Sequence, residues 1–151
     1  MSKLNLYRIE KDHVRENLNK YTRKAFKMLP KCKNPQILDV GCGTGVPTIE
    51  LAKISNGHVI GIDIDETSLD LLRSKIKETG LNNRVSVIKG SMLTMDFPEE
   101  SFDIIWSEGS IFVIGFENGI KKWRRFLKPN GFLVIHDENK DKVKKLELTK
   151  K

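Results

Sequence analysis

The chain has 151 residues, 38% hydrophobic and 31% charged, which is enough for one packed domain and short for two. No apolar run approaches the roughly 20 residues of a membrane span, and Lys3, Arg8 and Glu10 interrupt the N-terminus as no secretory leader would allow. The net charge of +7 is uneven: residues 1–34 carry ten Lys/Arg against three Asp/Glu, residues 35–136 eleven against thirteen, and residues 137–151 six against four. The basic excess therefore belongs to the N-terminal segment, where lysines interleave with apolar residues as on a solvated helix face. Cys32 and Cys42 form no spaced pair and have no histidine nearby, so no metal site is expected. A cytoplasmic, reduced protein is the simplest reading.

In chain order, Val14, Leu18, Tyr21, Ala25 and Met28 or Leu29 recur at three- and four-residue steps, predicting an amphipathic helix over 13–29 with Asp12 as N-cap and Pro30 as stop. Ile37-Leu38-Asp39-Val40 reads as a short buried strand ending in glycines. A helix over 47–54 follows, with Pro47 in its first turn, where a missing N–H costs nothing. His58 to Asp63 is a second strand, and Asp65 reads as the cap of a helix over 66–79 that Gly80 ends. Val85–Ile88 and Phe102–Trp106 are further strands. A helix carries Phe116, Ile120, Trp123 and Phe126 or Leu127, Lys128-Pro129-Asn130-Gly131 is a turn, and Phe132–His136 is a fifth strand.

Strands alternating with helices predict an α/β fold with a doubly wound, Rossmann-like sheet of five parallel strands. Ligands of such sheets bind beyond the carboxyl ends of the strands, where the winding reverses. The first strand ends there in Asp39-Val40-Gly41-Cys42-Gly43-Thr44-Gly45 and runs straight into a helix. Glycines let the backbone turn sharply and let a ligand approach the main chain. The dinucleotide pattern G-x-G-x-x-G needs a glycine at position 46, which is Val46, so a nicotinamide dehydrogenase is disfavoured.

Ile37 to Gly45 resembles motif I of the class I S-adenosylmethionine-dependent methyltransferases. The resemblance continues through Val59-Ile60-Gly61-Ile62-Asp63-Ile64, Val87-Ile88-Lys89-Gly90-Ser91, Phe102-Asp103-Ile104-Ile105-Trp106 and Leu127-Lys128-Pro129-Asn130-Gly131-Phe132, covering residues 36–137. It is strongest to the small-molecule branch, of which the ubiquinone-biosynthesis type is the best-known member. The resemblance implies S-adenosylmethionine as cofactor. It implies that Asp39 and the loop of Gly41, Cys42, Gly43, Thr44 and Gly45 hold the methionine end. Asp63 would accept the ribose hydroxyls, Ile64 would pack on the adenine face, Ser91 and Met92 would meet the adenine edge, and Ser107 would lie near the sulfonium. The family commonly has Asp where Ser91 stands, so this chain offers the adenine a neutral, shorter acceptor.

Transfer from a sulfonium chiefly needs alignment and exclusion of water, with a base only where the acceptor must lose a proton. Residues after the fourth and fifth strands would face the acceptor: Glu108, Ser110, His136 and Asp137. Glu108 and His136 are the catalytic candidates, His136 with Asp137 as orienting partner. Ser107-Glu108 with Glu117 also resembles the paired-glutamate loop of protein arginine methyltransferases, a clamp for a cationic amine or guanidinium. The plainer and favoured reading is that Glu117 supports the N-terminus of its own helix and Glu108 faces solvent. The loop Ser107-Glu108-Gly109-Ser110 lacks the Asn/Asp-Pro-Pro-aromatic motif of base methylation, which argues against a nucleic-acid substrate.

The organisation expected is a basic amphipathic lid (1–34), a cofactor-binding core (35–137) and a charged tail (138–151). The function expected is methyl transfer from S-adenosylmethionine to a small molecule, without a membrane partner. The alternative is a cofactor-binding fragment or subunit with little activity of its own, because the antiparallel hairpin that family members usually carry after the fifth strand is missing from the pattern. Residues 132–136 would then be the sheet edge, open to a tail helix or to self-association.

Overall fold

The computed structural model describes residues 3–136, 138–139, 142–143 and 147–150. It opens with two helices, α1 (Lys3–Glu16) and α2 (Asn19–Lys27), in place of one over 13–29. Asn17 and Asn19 flank the break, and asparagine competes with the helix for backbone bonds. The amide of Leu18 closes a tighter turn onto the carbonyl of Arg15 (2.8 Å). Val14, read as part of the apolar stripe, is 63% exposed. Asp12 lies within α1 and is no cap: it accepts hydrogen bonds from the Thr44 hydroxyl and from Lys75 Nζ. The N-terminal helix is thus attached by polar side chains, which an apolar periodicity does not register.

The core alternates β1 (Gln36–Val40), α3 (Val46–Ser55), β2 (His58–Asp63), α4 (Glu66–Glu78), β3 (Val85–Lys89), β4 (Phe102–Glu108), α5 (Phe116–Trp123) and β5 (Leu127–His136). The five strands pair in parallel in the order β3-β2-β1-β4-β5. Winding reverses between β1 and β4, which opens a crevice above Val40 and Trp106. The segment 128–131, read as a turn, bulges out within β5. Leu127 pairs with Phe102 and Phe132 with Ile104, so four residues are spent against one on β4. Asn130 takes a left-handed φ of 65° inside that bulge.

The tail corrects one expectation. Beyond a two-stranded ribbon of β6 (Glu138–Asn139) and β7 (Lys142–Val143), β8 (Glu147–Lys150) pairs antiparallel with β5, Phe132 to Ile135 against Lys150 to Glu147. Residues 132–136 are therefore not an open edge, and the ladder offered for self-association is occupied within the chain. Main-chain groups alone satisfy an antiparallel ladder, so β8 needs no apolar alternation to form.

The sheet separates two cores. One face packs Ile37, Ile104, Trp106 and Val134 against Ala25 and Leu29, with Leu51 of α3 and Leu69 and Leu72 of α4. The other packs Leu38, Val40, Ile105, Leu133 and Ile135 against Trp123 and Phe126. Strand parity thus assigns each functional side chain to one face.

Candidate functional site

Three left-handed glycines shape the turn from β1 into α3, at φ values of 71°, 55° and 86° for Gly41, Gly43 and Gly45. The amides of Gly41 and Cys42 donate to the carbonyl of Ile62 (2.8 and 3.1 Å), which ties the turn to the end of β2. A side chain at Gly45 would collide with Leu72 of α4, so this glycine serves packing. One at Gly43 would meet only Arg15 Nη1, at 3.7 Å, and would project into open space. That space is a cleft of about 380 Å³, lined by Gly41, Gly43, Asp63, Ile64, Ser91 and Met92 among others.

Asp63 is held in the cleft by main-chain donors on both carboxylate oxygens. Its Oδ2 accepts the Gly43 amide at 2.8 Å and its Oδ1 the Asp65 amide at 2.9 Å. Each oxygen keeps lone-pair capacity for a further donor, so the carboxylate is aimed rather than consumed. Ile64 stands beside it at 68% exposure. Ser91 Oγ already accepts the Leu93 amide at 3.1 Å, which limits what it can offer a ligand.

Other expected residues lie outside the lining. Asp39 is buried behind the loop, where its Oδ2 accepts the Thr48 hydroxyl at 2.7 Å. Burial pushes its pKa up to about 7, against the opposing Thr48 bond, with Glu108 raising it further. The Cys42 side chain is buried against Gly61, and burial, with Asp39 and Asp63 nearby, pushes the thiol well up and leaves it inert. Thr44 lines a smaller hollow under α1 and is tied to Asp12. Ser107 is fully buried and shares a 2.8 Å hydrogen bond with Ser110, whose own hydroxyl reaches the Val40 carbonyl at 2.8 Å. Ser110, expected on the acceptor side, lines the cleft together with Ser91.

The sequence reading missed the cations. Lys11 and Arg15, one helical turn apart on α1, line the cleft beside Gly43. Their i, i+4 spacing was the available signal. Arg8, one turn earlier, holds the helix in place through Ser68 Oγ (3.2 Å) and Asp65 Oδ2 (2.8 Å). Asp65 sits at the cap position of α4 without a side-chain cap bond. It accepts Ser68 and Arg8 instead, which together hold its carboxyl below the usual range.

At the ends of β4 and β5, Glu108 Oε1 accepts the Thr22 hydroxyl of α2 at 2.6 Å and the Trp106 indole at 2.9 Å. Trp106 belongs to the α2–α3–α4 face, so Glu108 is turned to that face. Glu117 opens α5, whose Phe116 and Ile120 pack on the opposite face. The sheet separates the two glutamates and the expected clamp is not assembled. His136 instead pairs in register with Glu108, 6% exposed, its Nε2 buried without a partner among the described residues. Asp137, its expected orienting partner, lies outside the described residues. Among those residues, no group of three or more His, Cys, Asp and Glu is placed to hold a metal, and no helix is long and apolar enough to cross a membrane.

Comparison with known proteins bears on this arrangement. The sequence profile of the family described as "Methyltransferase domain" matches residues 37–131. An uncharacterised protein of Haemophilus influenzae is 33% identical over 108 residues, covering 70% of this chain and 43% of that one. A sterol 24-C-methyltransferase of Gibberella zeae is 31% identical over 103 residues, 68% of this chain and 27% of that one. Among solved structures, an S-adenosylmethionine-dependent methyltransferase from Aquifex aeolicus superposes with a TM-score of 0.68 at 26% identity, over 80% of this chain and 67% of that one. The chain thus spans less than half the length of these two sequence relatives.

Proposed function

The chain belongs to the methyltransferase domain family, and from that premise we propose that it transfers a methyl group from S-adenosylmethionine to a small-molecule acceptor. One observation carries the reading: an open left-handed glycine and an aimed carboxylate converge on one cleft, Gly43 donating its amide to Asp63. These are the features a nucleoside with a vicinal diol and an amino-acid tail requires. When bound, the cofactor supplies an activated methyl on a sulfonium.

The protein's part is to hold and align. Asp63 accepts the ribose hydroxyls, Ile64 covers one adenine face, and Ser91 and Met92 border its edge. The main chain at Gly41 and Gly43 passes under the methionine portion, with Arg15 and Lys11 placed for its carboxylate. Asp39 supports the loop from behind through Thr48. The helices of residues 1–34 act as a lid, α1 latched by Arg8 and Asp12, α2 by Thr22. His136 is the candidate acceptor-side base. The acceptor is a small molecule, as for the ubiquinone-biosynthesis enzymes that the motifs resemble, and not a nucleic acid. A cytoplasmic setting suits the two free thiols. The test is turnover with methyl-labelled S-adenosylmethionine against a metabolite extract, the labelled product being identified by mass.

A second reading is a cofactor-binding unit with little activity of its own. Saturable cofactor binding without labelled product from any extract would select it.

A further inference from the structure

A second cavity, of about 710 Å³, lies at the other end of the sheet. Its walls come from Lys33, just before β1, from Asn56, just before β2, and from Ile104 near the start of β4. It therefore opens at the amino ends of the strands, away from Asp63 and the glycine turn. We propose that it binds a small anionic amphiphile, a carboxylate or phosphate head on an apolar body, at a site independent of the cofactor cleft.

The floor is apolar: Phe26 and Leu29 from the end of α2 and its exit, Ile54 from α3, and Ile104 from the sheet. The rim is cationic, carrying Arg23, Lys27, Lys31 and Lys33, and no acidic residue lines the cavity. Arg23 is neutralised by Glu50 at 2.9 Å. Lys27, Lys31 and Lys33 form no ion pair among the described residues. Asp103, near the start of β4, is already engaged by the Gln36 amide (2.8 Å) and by Lys128 (3.3 Å). Sequence agrees with geometry: from Asn17 to Leu38 the chain has six Lys/Arg and no Asp/Glu. Unpaired cations ringed around an apolar floor repel one another until an anion arrives, and only a ligand with an apolar body uses the floor as well. The cavity falls within the about 300–1,000 Å³ of ordinary small-molecule sites, which favours a monomeric ligand over a flat lipid surface.

The experiment titrates the full chain with monomeric decanoate by calorimetry. Decyltrimethylammonium, inorganic phosphate and vesicles of anionic lipid serve as parallel arms. Decanoate should bind saturably at one site, while the cationic amphiphile and phosphate fail at the same concentrations. Changing Lys27, Lys31 and Lys33 together to Gln, all at exposed positions, should weaken decanoate about tenfold. Ile54→Trp, which fills the floor without touching charge, should also weaken it. Ile54→Trp, which lies outside both the lid and the cofactor cleft, should leave S-adenosylhomocysteine affinity unchanged, so this proposal and the cofactor reading fail separately. Equal binding of the cationic amphiphile, or decanoate affinity unmoved by both variants, would overturn the proposal. Binding to vesicles alone would overturn it in favour of a lipid surface.

Discussion

The two ends of the crevice are built by different means. At the β1–β2 end, main-chain conformation makes the site: three left-handed glycines, two amides on the Ile62 carbonyl and two more on Asp63. At the β4–β5 end, side chains distant in sequence make it. Thr22 and Glu108 meet across 86 positions, and His136 is set beside Glu108 only by strand register. A site made of backbone leaves a local spelling that few other residues can supply. A site made of tertiary contacts leaves none. The comparison predicts that the first end governs cofactor binding and the latching of α1, and the second the docking of α2 and of the acceptor.

Gly43→Val should have the largest effect, abolishing cofactor binding while circular dichroism stays unchanged. The side chain would enter the cleft, and a β-branched residue at φ 55° adds about 1–2 kcal/mol of backbone strain. Normal binding by this variant would place the cofactor elsewhere.

Next is a pH effect from Asp39, whose pKa rises from 3.8 unfolded to about 7 folded. Between those values the folded chain keeps a proton that the unfolded chain has lost. Stability should therefore fall as pH climbs from about 4 to 7 and level off above, by at most about 4 kcal/mol. Urea midpoints across that range should show the decline in the wild type and a flatter profile in Asp39→Asn. A rise in stability over the same window, cancelled by the variant, would mean that Asp39 is held charged.

Asp63→Ala should cost about 1.5–3 kcal/mol of cofactor binding, the loss of a charged acceptor. Asp65→Ala should cost less, because it acts only by releasing Arg8 and with it α1. Equal losses in calorimetry would dissolve the distinction between a ligand-holding and a lid-holding acid.

Thr22→Val should lower the melting temperature, by about 1–2 kcal/mol of stability, because Glu108 keeps only the Trp106 donor. Cofactor affinity should not change, and a parallel loss would show that the two ends are coupled. Glu117→Gln should be nearly silent in both, within about 0.5 kcal/mol. A selective rise in the acceptor's KM would revive the clamp that the sheet separates.

The same contrast explains what the sequence could tell. The five parallel strands and their helices were legible because buried strands and amphipathic helices carry their period in side chains. The glycine turn and Asp63 were legible because their conformations demand those residues. Asp39 was legible as a position, but its burial behind the loop depends on Thr48 and on what covers it. The break between α1 and α2 and the latches at Arg8 and Asp12 were hidden, since polar docking has no period. The β8 ladder was hidden because main chain alone makes it. Glu108 and Glu117 are nine apart in sequence, yet only strand parity shows that they face opposite ways.

The most direct measurement is a calorimetric titration of the wild-type chain with S-adenosylmethionine and, separately, with a nicotinamide dinucleotide. One saturable S-adenosylmethionine site, displaced by S-adenosylhomocysteine, is expected, with no heat of binding from the dinucleotide. Absence of S-adenosylmethionine binding by folded protein, or preference for the dinucleotide, would contradict that expectation.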